Sequence, residues 1–211
     1  MKIAVVGASG KAGKLILKEA LDRGHEVTAI VRDASKVTEA NAAVLEKDVF
    51  ALKSEDLKGF DAVVNAFGAP LGQEHLHVEA GNVLIEAMKG ASDTRLLVVG
   101  GAGSLFVDEA KTTRVLDTPD FPEIFLATAK NQGENLHILQ GTDSIQWTFI
   151  SPSAFFDADG ARTGTYVKGK DHLLVNASGK SYISYADYAI AVLDEIEHPQ
   201  HRYERFTVGS K

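Results

Sequence analysis

The chain contains no cysteine. That excludes disulfide bridges, thiolate metal sites and a cysteine nucleophile together, and it suits a cytoplasmic setting. A basic run is also missing: Asp and Glu outnumber Lys and Arg by 29 to 22, for a formal charge of -7. Without a positive stripe the footprint of a nucleic-acid partner is absent, so an anionic ligand must be met by a few local groups. No stretch approaches the roughly 20 apolar residues of a membrane helix, and glycines break the opening MKIAVVGASG too early for a secretion signal. The expectation is a protein with neither nucleic-acid nor membrane partners.

What is present is alternation. With 211 residues, 45% hydrophobic and 24% charged, the composition is that of a globule with one sizeable core, and the length suits a single domain spanning 1–211. KIAVV is a short apolar run of the kind buried on both faces of a parallel sheet. From Lys11 to Arg23, Ala12, Leu15, Ile16 and Ala20 recur at helical spacing, and Gly24 stands where a helix ends. EVTAIV up to Arg32, AVLEKDV up to Asp48, residues 61–67 and residues 95–101 follow as strands, with a helix over 74–89 before the last of these. Residues 104–123 carry two of the five prolines and no period, which predicts a long loop. A helix over 122–140 and the strand WTFIS come next. Residues 152–183, with pieces such as TYV and HLLV, read as a small, partly extended substrate-side lobe. Ser184, with Asp187 three residues on, starts a helix running to Pro199, and RFTV closes the chain. Repeated β-α steps imply right-handed crossovers and a doubly wound α/β fold of the Rossmann type, its parallel sheet covered by helices on both faces.

The segment GASGKAG, Gly7 to Gly13, lies between the first strand and the first helix. In that context Gly7 allows the tight turn, Gly10 clears the backbone for a diphosphate, and Gly13 lets helix and strand approach. The helix start offers free N–H groups, with Ser9, Lys11 and Ala12 beside them. The residue ending the second strand lies beside the adenosine ribose in such folds, and here it is Arg32 rather than an acid. A guanidinium pairs with a 2′-phosphate, so NADP(H) is expected over NAD(H), unless the adjacent Asp33 neutralises it. Asp48 and Val49 either flank the adenine or form an ordinary loop. Ala66, Phe67 and Gly68 after the fourth strand, and Gly101 after the fifth, clear space for the nicotinamide ribose, although Phe67 is equally explained as core. His75, His77 and His172 have no metal-site spacing and are expected at the surface or in loops.

GASGKAG, VVGGAGSL, LDTPDFP, WTFISP, GARTG over 160–164, SYADY over 184–188 and RFTV together resemble the atypical short-chain dehydrogenases. Within them the chain is most similar to the NADH-flavin reductase-like proteins, relatives of biliverdin reductase B and NmrA-like proteins. The resemblance spans nearly the whole chain and implies a fold that binds NAD(P)H and passes hydride to a flavin or a similar flat acceptor. It also implies contacts to the cofactor from Pro152 and Lys130. Typical members protonate a carbonyl with a Tyr-x-x-x-Lys pair and a serine. Here Leu126 stands four residues before Lys130, and Gly101 or Ala102 occupies the serine position, leaving Lys130 and Ser104 as the remaining catalytic candidates. Flavin reduction needs mainly stacking and exclusion of other geometries. Phe67, Phe106, Phe155 and Phe156 are candidate walls, each alternatively core, with Ser104 and Arg162 as polar contacts. The expected function is an NADPH-dependent reductase of a small-molecule acceptor, flavin being a possible substrate, in a monomer or homodimer. The alternative is an NADP(H)-sensing regulator without turnover, and a nucleotide-sugar epimerase is opposed by the missing tyrosine.

Overall fold

A computed structural model describes residues 1–211. Its strands are β1 (Lys2–Val6), β2 (Glu26–Val31), β3 (Ala43–Glu46), β4 (Ala62–Asn65), β5 (Arg95–Val99), β6 (Gln146–Ser151), β7 (Phe155–Asp157), β8 (Val167–Gly169), β9 (Tyr182–Ser184) and β10 (Glu204–Gly209). The helices are α1 (Lys11–Asp22), α2 (Ser54–Leu57), α3 (Leu76–Met88), α4 (Leu126–Gln140) and α5 (Tyr185–Glu197). Eight strands form one sheet in the order β3-β2-β1-β4-β5-β6-β10-β8, parallel throughout except that β8 runs antiparallel to β10.

Strand alternation sorts the core into two layers. Ile3 and Val5 of β1, Ala62 and Val64 of β4 and Leu97 of β5 pack with Ile16 of α1 and Val192 of α5. Their neighbours Ala4, Val6, Val63, Leu96 and Val98 face the other way, onto Leu84 and Met88 of α3 and Leu136 and Leu139 of α4. Each central strand is thus apolar on both faces, which is why the runs read as continuous rather than alternating. This is the doubly wound Rossmann-type architecture. The chain order reverses between β1 and β4, and the crevice over their carboxyl ends is where such sheets hold ligands.

Several local expectations are corrected. The third strand stops at Glu46, before Asp48. The HLLV segment forms no strand, because His172 makes only a single bridge to Phe106. Of TYV, only Val167 joins a strand, and that strand completes the main sheet rather than a separate lobe. The rest of 152–183 is organised by a two-stranded parallel pair of β7 and β9. The long loop 104–123 contains a 3₁₀ turn at Val115–Asp117 and is tied down by the bridges from Phe106 to Arg114 and His172.

Candidate functional site

The glycine turn is built as a backbone cradle. Gly7 has φ +76° and donates its N–H to Ile30 O at 3.0 Å, and a Cβ on it would come within 2.7 Å of the Ala66 carbonyl. A Cβ on Gly13 would run into the Gly7 carbonyl itself, so this residue serves helix-to-strand contact. Gly10 caps α1 with extended backbone and no side-chain hydrogen bond. The N–H groups of the first turn therefore face the crevice unspent by a cap, where the helix dipole favours an anion.

That crevice is a cleft of about 1140 Å³, above the roughly 300–1,000 Å³ of most small-molecule sites. It runs along the carboxyl ends of the sheet. Gly7, Ser9, Gly10, Lys11 and Ala12 line it, as do Arg32, Val49, Ala66, Phe67, Gly68, Gly101, Pro152, Phe155 and Phe156. At the adenosine end Arg32 is exposed and has no protein partner. Asp33 does not neutralise it: its carboxylate accepts from the N–H and hydroxyl of Ser35, at 3.0 and 2.6 Å, and lies 3.8 Å from Lys36. Lys36 and Lys47 also border the cleft, although Lys47 is paired with Asp56 at 2.6 Å. Bare amides beside an unspent guanidinium make this part of the cleft a place for an anionic group.

Besides Gly13, which is spent on helix-to-strand contact, five candidates lie outside the lining, each for a visible reason. Asp48 caps the 3₁₀ turn Val49–Ala51, accepting from Phe50 N–H at 3.0 Å. Ser104 accepts from the guanidinium of Arg205 at 3.1 Å. Phe106 is taken up by its bridges and by His172, with ring centroids 6.4 Å apart. Arg162 forms a two-oxygen pair with Glu19 of α1, both distances to its Nη2 being 3.0 Å. Lys130 is exposed on α4, whose helical phase turns Thr128, Ala129 and Gln132 toward the cleft instead.

Other side chains take their places. His77 lines the cleft with 8% exposure, edge-on to Phe67 at 5.9 Å, contrary to the expected surface position. Burial pushes its pKa below the ordinary imidazole value, against a smaller opposing effect of Glu74, so it is neutral near pH 7. Gln132 fills the space that the missing side chain of Gly101 leaves. Among the aromatics of the lining, Phe156 packs on Tyr185 with centroids 3.8 Å apart and on Tyr188 at 4.8 Å, while Phe155 is 60% exposed. Phe121, Pro122 and the 55% exposed Phe125 also line the cleft, from the segment leading into α4. Sequence reading passed over Phe121 and Phe125, although their flanking Pro122 and their place before a helix mark a loop that reaches the sheet edge.

Known proteins extend this geometry. The family model for NAD(P)H-binding domains matches residues 7–199. The Bacillus subtilis protein YwnB is 72% identical over 211 residues, 100% of this chain and 99% of that one. The crystal structure of a candidate NADH-flavin reductase from Streptococcus pneumoniae superposes with a TM-score of 0.95 at 47% identity, covering 100% of both chains. A candidate epimerase from Bacteroides thetaiotaomicron superposes at 0.89 with 41% identity, over 99% of this chain and 96% of that one.

Proposed function

This chain belongs to the NAD(P)H-binding family, and on that footing we propose that it is a reductase that takes hydride from NADPH and delivers it to a flavin or a comparably flat acceptor. The supporting observation is the continuity of one cleft, with an unpartnered Arg32 and the α1 amides at one end and an aromatic wall at the other. When bound, the reduced nicotinamide supplies two electrons and a proton as hydride. The protein's part is placement. The α1 N–H groups hold the diphosphate, Arg32 receives the 2′-phosphate in a charge-assisted pair, and the open glycine backbone at Gly68 leaves room for the ribose. Phe121, Phe125, Phe155 and Phe156, which all line the cleft, would restrict an acceptor to a stacked pose and displace water from it, which is where rate is gained when no triad is present. The similarity to a candidate NADH-flavin reductase supports the same acceptor class.

Two measurements test this. Calorimetry is expected to show tighter binding of NADPH than of NADH. Spectrophotometry is expected to show NADPH oxidation accelerated by FMN, FAD or riboflavin. If NADPH binds but no acceptor at millimolar concentration accelerates its oxidation, the protein is a nucleotide sensor and the reductase reading fails.

A further inference from the structure

The chain has five tyrosines, and the way their hydroxyls are used is uneven. Tyr166 donates to Asp194 at 2.8 Å, Tyr182 to Asp157 at 2.9 Å and Tyr188 to the Ile150 carbonyl at 2.7 Å. Tyr203 is 51% exposed and bonds to water freely. Tyr185 alone is half-buried with no protein partner for its hydroxyl, and it lines the cleft. No buried side-chain polar atom of the protein lacks a partner, so the Tyr185 hydroxyl is reached from the cleft that the residue lines and is free to meet a ligand atom there.

Its ring is held. Tyr185 opens α5, directly after β9, and Phe156 of the paired β7 lies across it at 3.8 Å. Those neighbours place it with the acceptor wall. The other protic groups of the lining are spoken for or are weaker acids than a phenol: Ser153 donates to Val208 O at 3.1 Å, Thr128 is an aliphatic alcohol, and Gln132 is an amide. His77 packs edge-on to Phe67 and is not among the rings that contact Tyr185. The groups around Tyr185 leave its ionisation to burial: Asp157 and Tyr182 are bonded to each other, and Tyr188, one turn along α5, is bonded to the backbone. Burial raises the Tyr185 pKa, which keeps the hydroxyl protonated across the neutral range while making it a weaker acid than a free phenol.

We propose that Tyr185 is the proton donor of this site, replacing the tyrosine that the α4 position of Leu126 lacks, and that the acceptor is therefore a conjugated ring whose nitrogen or oxygen becomes basic on reduction. The inference rests on the reductase reading above. Hydride transfer breaks a C–H bond of the dihydronicotinamide, which is oxidised, and places two electrons and one proton on the acceptor, which is reduced. The negative charge left on the conjugated nitrogen or oxygen takes the Tyr185 proton, and the phenolate recovers a proton from water.

The test compares wild type with Tyr185→Phe, which keeps the ring that packs on Phe156, using NADPH with FMN and with a simple benzoquinone. We expect kcat to fall about 100-fold, the lower end for general acid catalysis, with KM for NADPH unchanged. The residual activity of Y185F should climb as the pH is lowered and solvent acid substitutes, while the wild type stays level. Without turnover, the near-ultraviolet tyrosinate titration should lose one component in Y185F but not move in that way in the exposed control Y203F, and NADP⁺ should displace that component. A wild type that oxidises NADPH alongside a Y185F of equal kcat and level pH profile overturns the role of Tyr185 alone. A wild type that reduces neither acceptor overturns the reductase reading and this proposal with it.

Discussion

The two ends of the cleft are made in opposite ways. At the adenosine end the chain contributes backbone: amides of the α1 start, a glycine at φ +76°, and small residues where β1 and β4 finish, with one guanidinium added. At the aromatic end it contributes side chains, and the 152–183 segment is held by polar anchors reaching far along the chain. Asp187 of α5, itself 4% exposed, accepts from the N–H groups of Thr163 and Gly164 at 2.9 Å and from the Thr163 hydroxyl at 2.6 Å. Arg162 beside them clasps Glu19 on α1. A backbone cradle leaves little to vary, since any side chain collides with it. An aromatic wall hung on side-chain anchors can be re-cut residue by residue, so the first end suits an invariant ligand and the second a changeable one.

The contrast can be broken most severely at Gly13. Gly13→Ala forces a methyl into the Gly7 carbonyl, a backbone contact that no rotamer relieves. We expect a loss of about 3 kcal/mol in stability, read by urea unfolding, and no calorimetric heat with NADPH. Asp187→Ala attacks the other end and should cost about 2–3 kcal/mol, because two backbone N–H groups lose their acceptor. Its signature is different: KM for the acceptor rises while NADPH affinity measured by calorimetry holds. If both parameters move together, the two ends are not separately built.

Arg32→Asp sharpens the contrast without touching the fold. The exposed guanidinium has no protein partner to strand, so thermal stability should be unaltered, while affinity for NADPH drops about 10- to 100-fold, the worth of a hydrogen bond to a charged group. NADH affinity should stay level or rise. The smallest effect belongs to His77. Burial holds its folded-state pKa below the ordinary value, so the folded protein favours the neutral ring. Stability from this source is intact above about pH 6.5 and declines as the pH falls below it, where the unfolded chain binds the proton more readily. Urea midpoints on either side of that value should show the decline in wild type and a shallower one in His77→Leu.

The adenosine end was legible in the residues because its determinants are contiguous. A buried strand, a glycine turn and an amphipathic helix lie within Lys2–Asp22, and each follows from local backbone preference and side-chain period. Even the helix cap at Ser184, accepting from Asp187 N–H at 3.0 Å, is a three-residue affair. At the aromatic end, the sequence candidates that line the cleft are Pro152, Phe155 and Phe156. Ser104 and Arg162 looked available because their partners, Arg205 and Glu19, lie 101 and 143 residues away in the chain.

From its residues alone, then, this chain specifies a two-layered parallel sheet and the amide cradle for a diphosphate. Those features depend on interactions within a few residues, on hydrophobic period and on glycine's freedom to take positive φ. Which polar side chains remain free to meet a ligand was settled by folding. Lys130 left the cleft through the helical phase of α4, His77 entered it through the start of α3, and Tyr185 kept its hydroxyl unspent while its neighbours spent theirs. A side chain's freedom depends on every group brought beside it in space, and chain order carries no record of those distances.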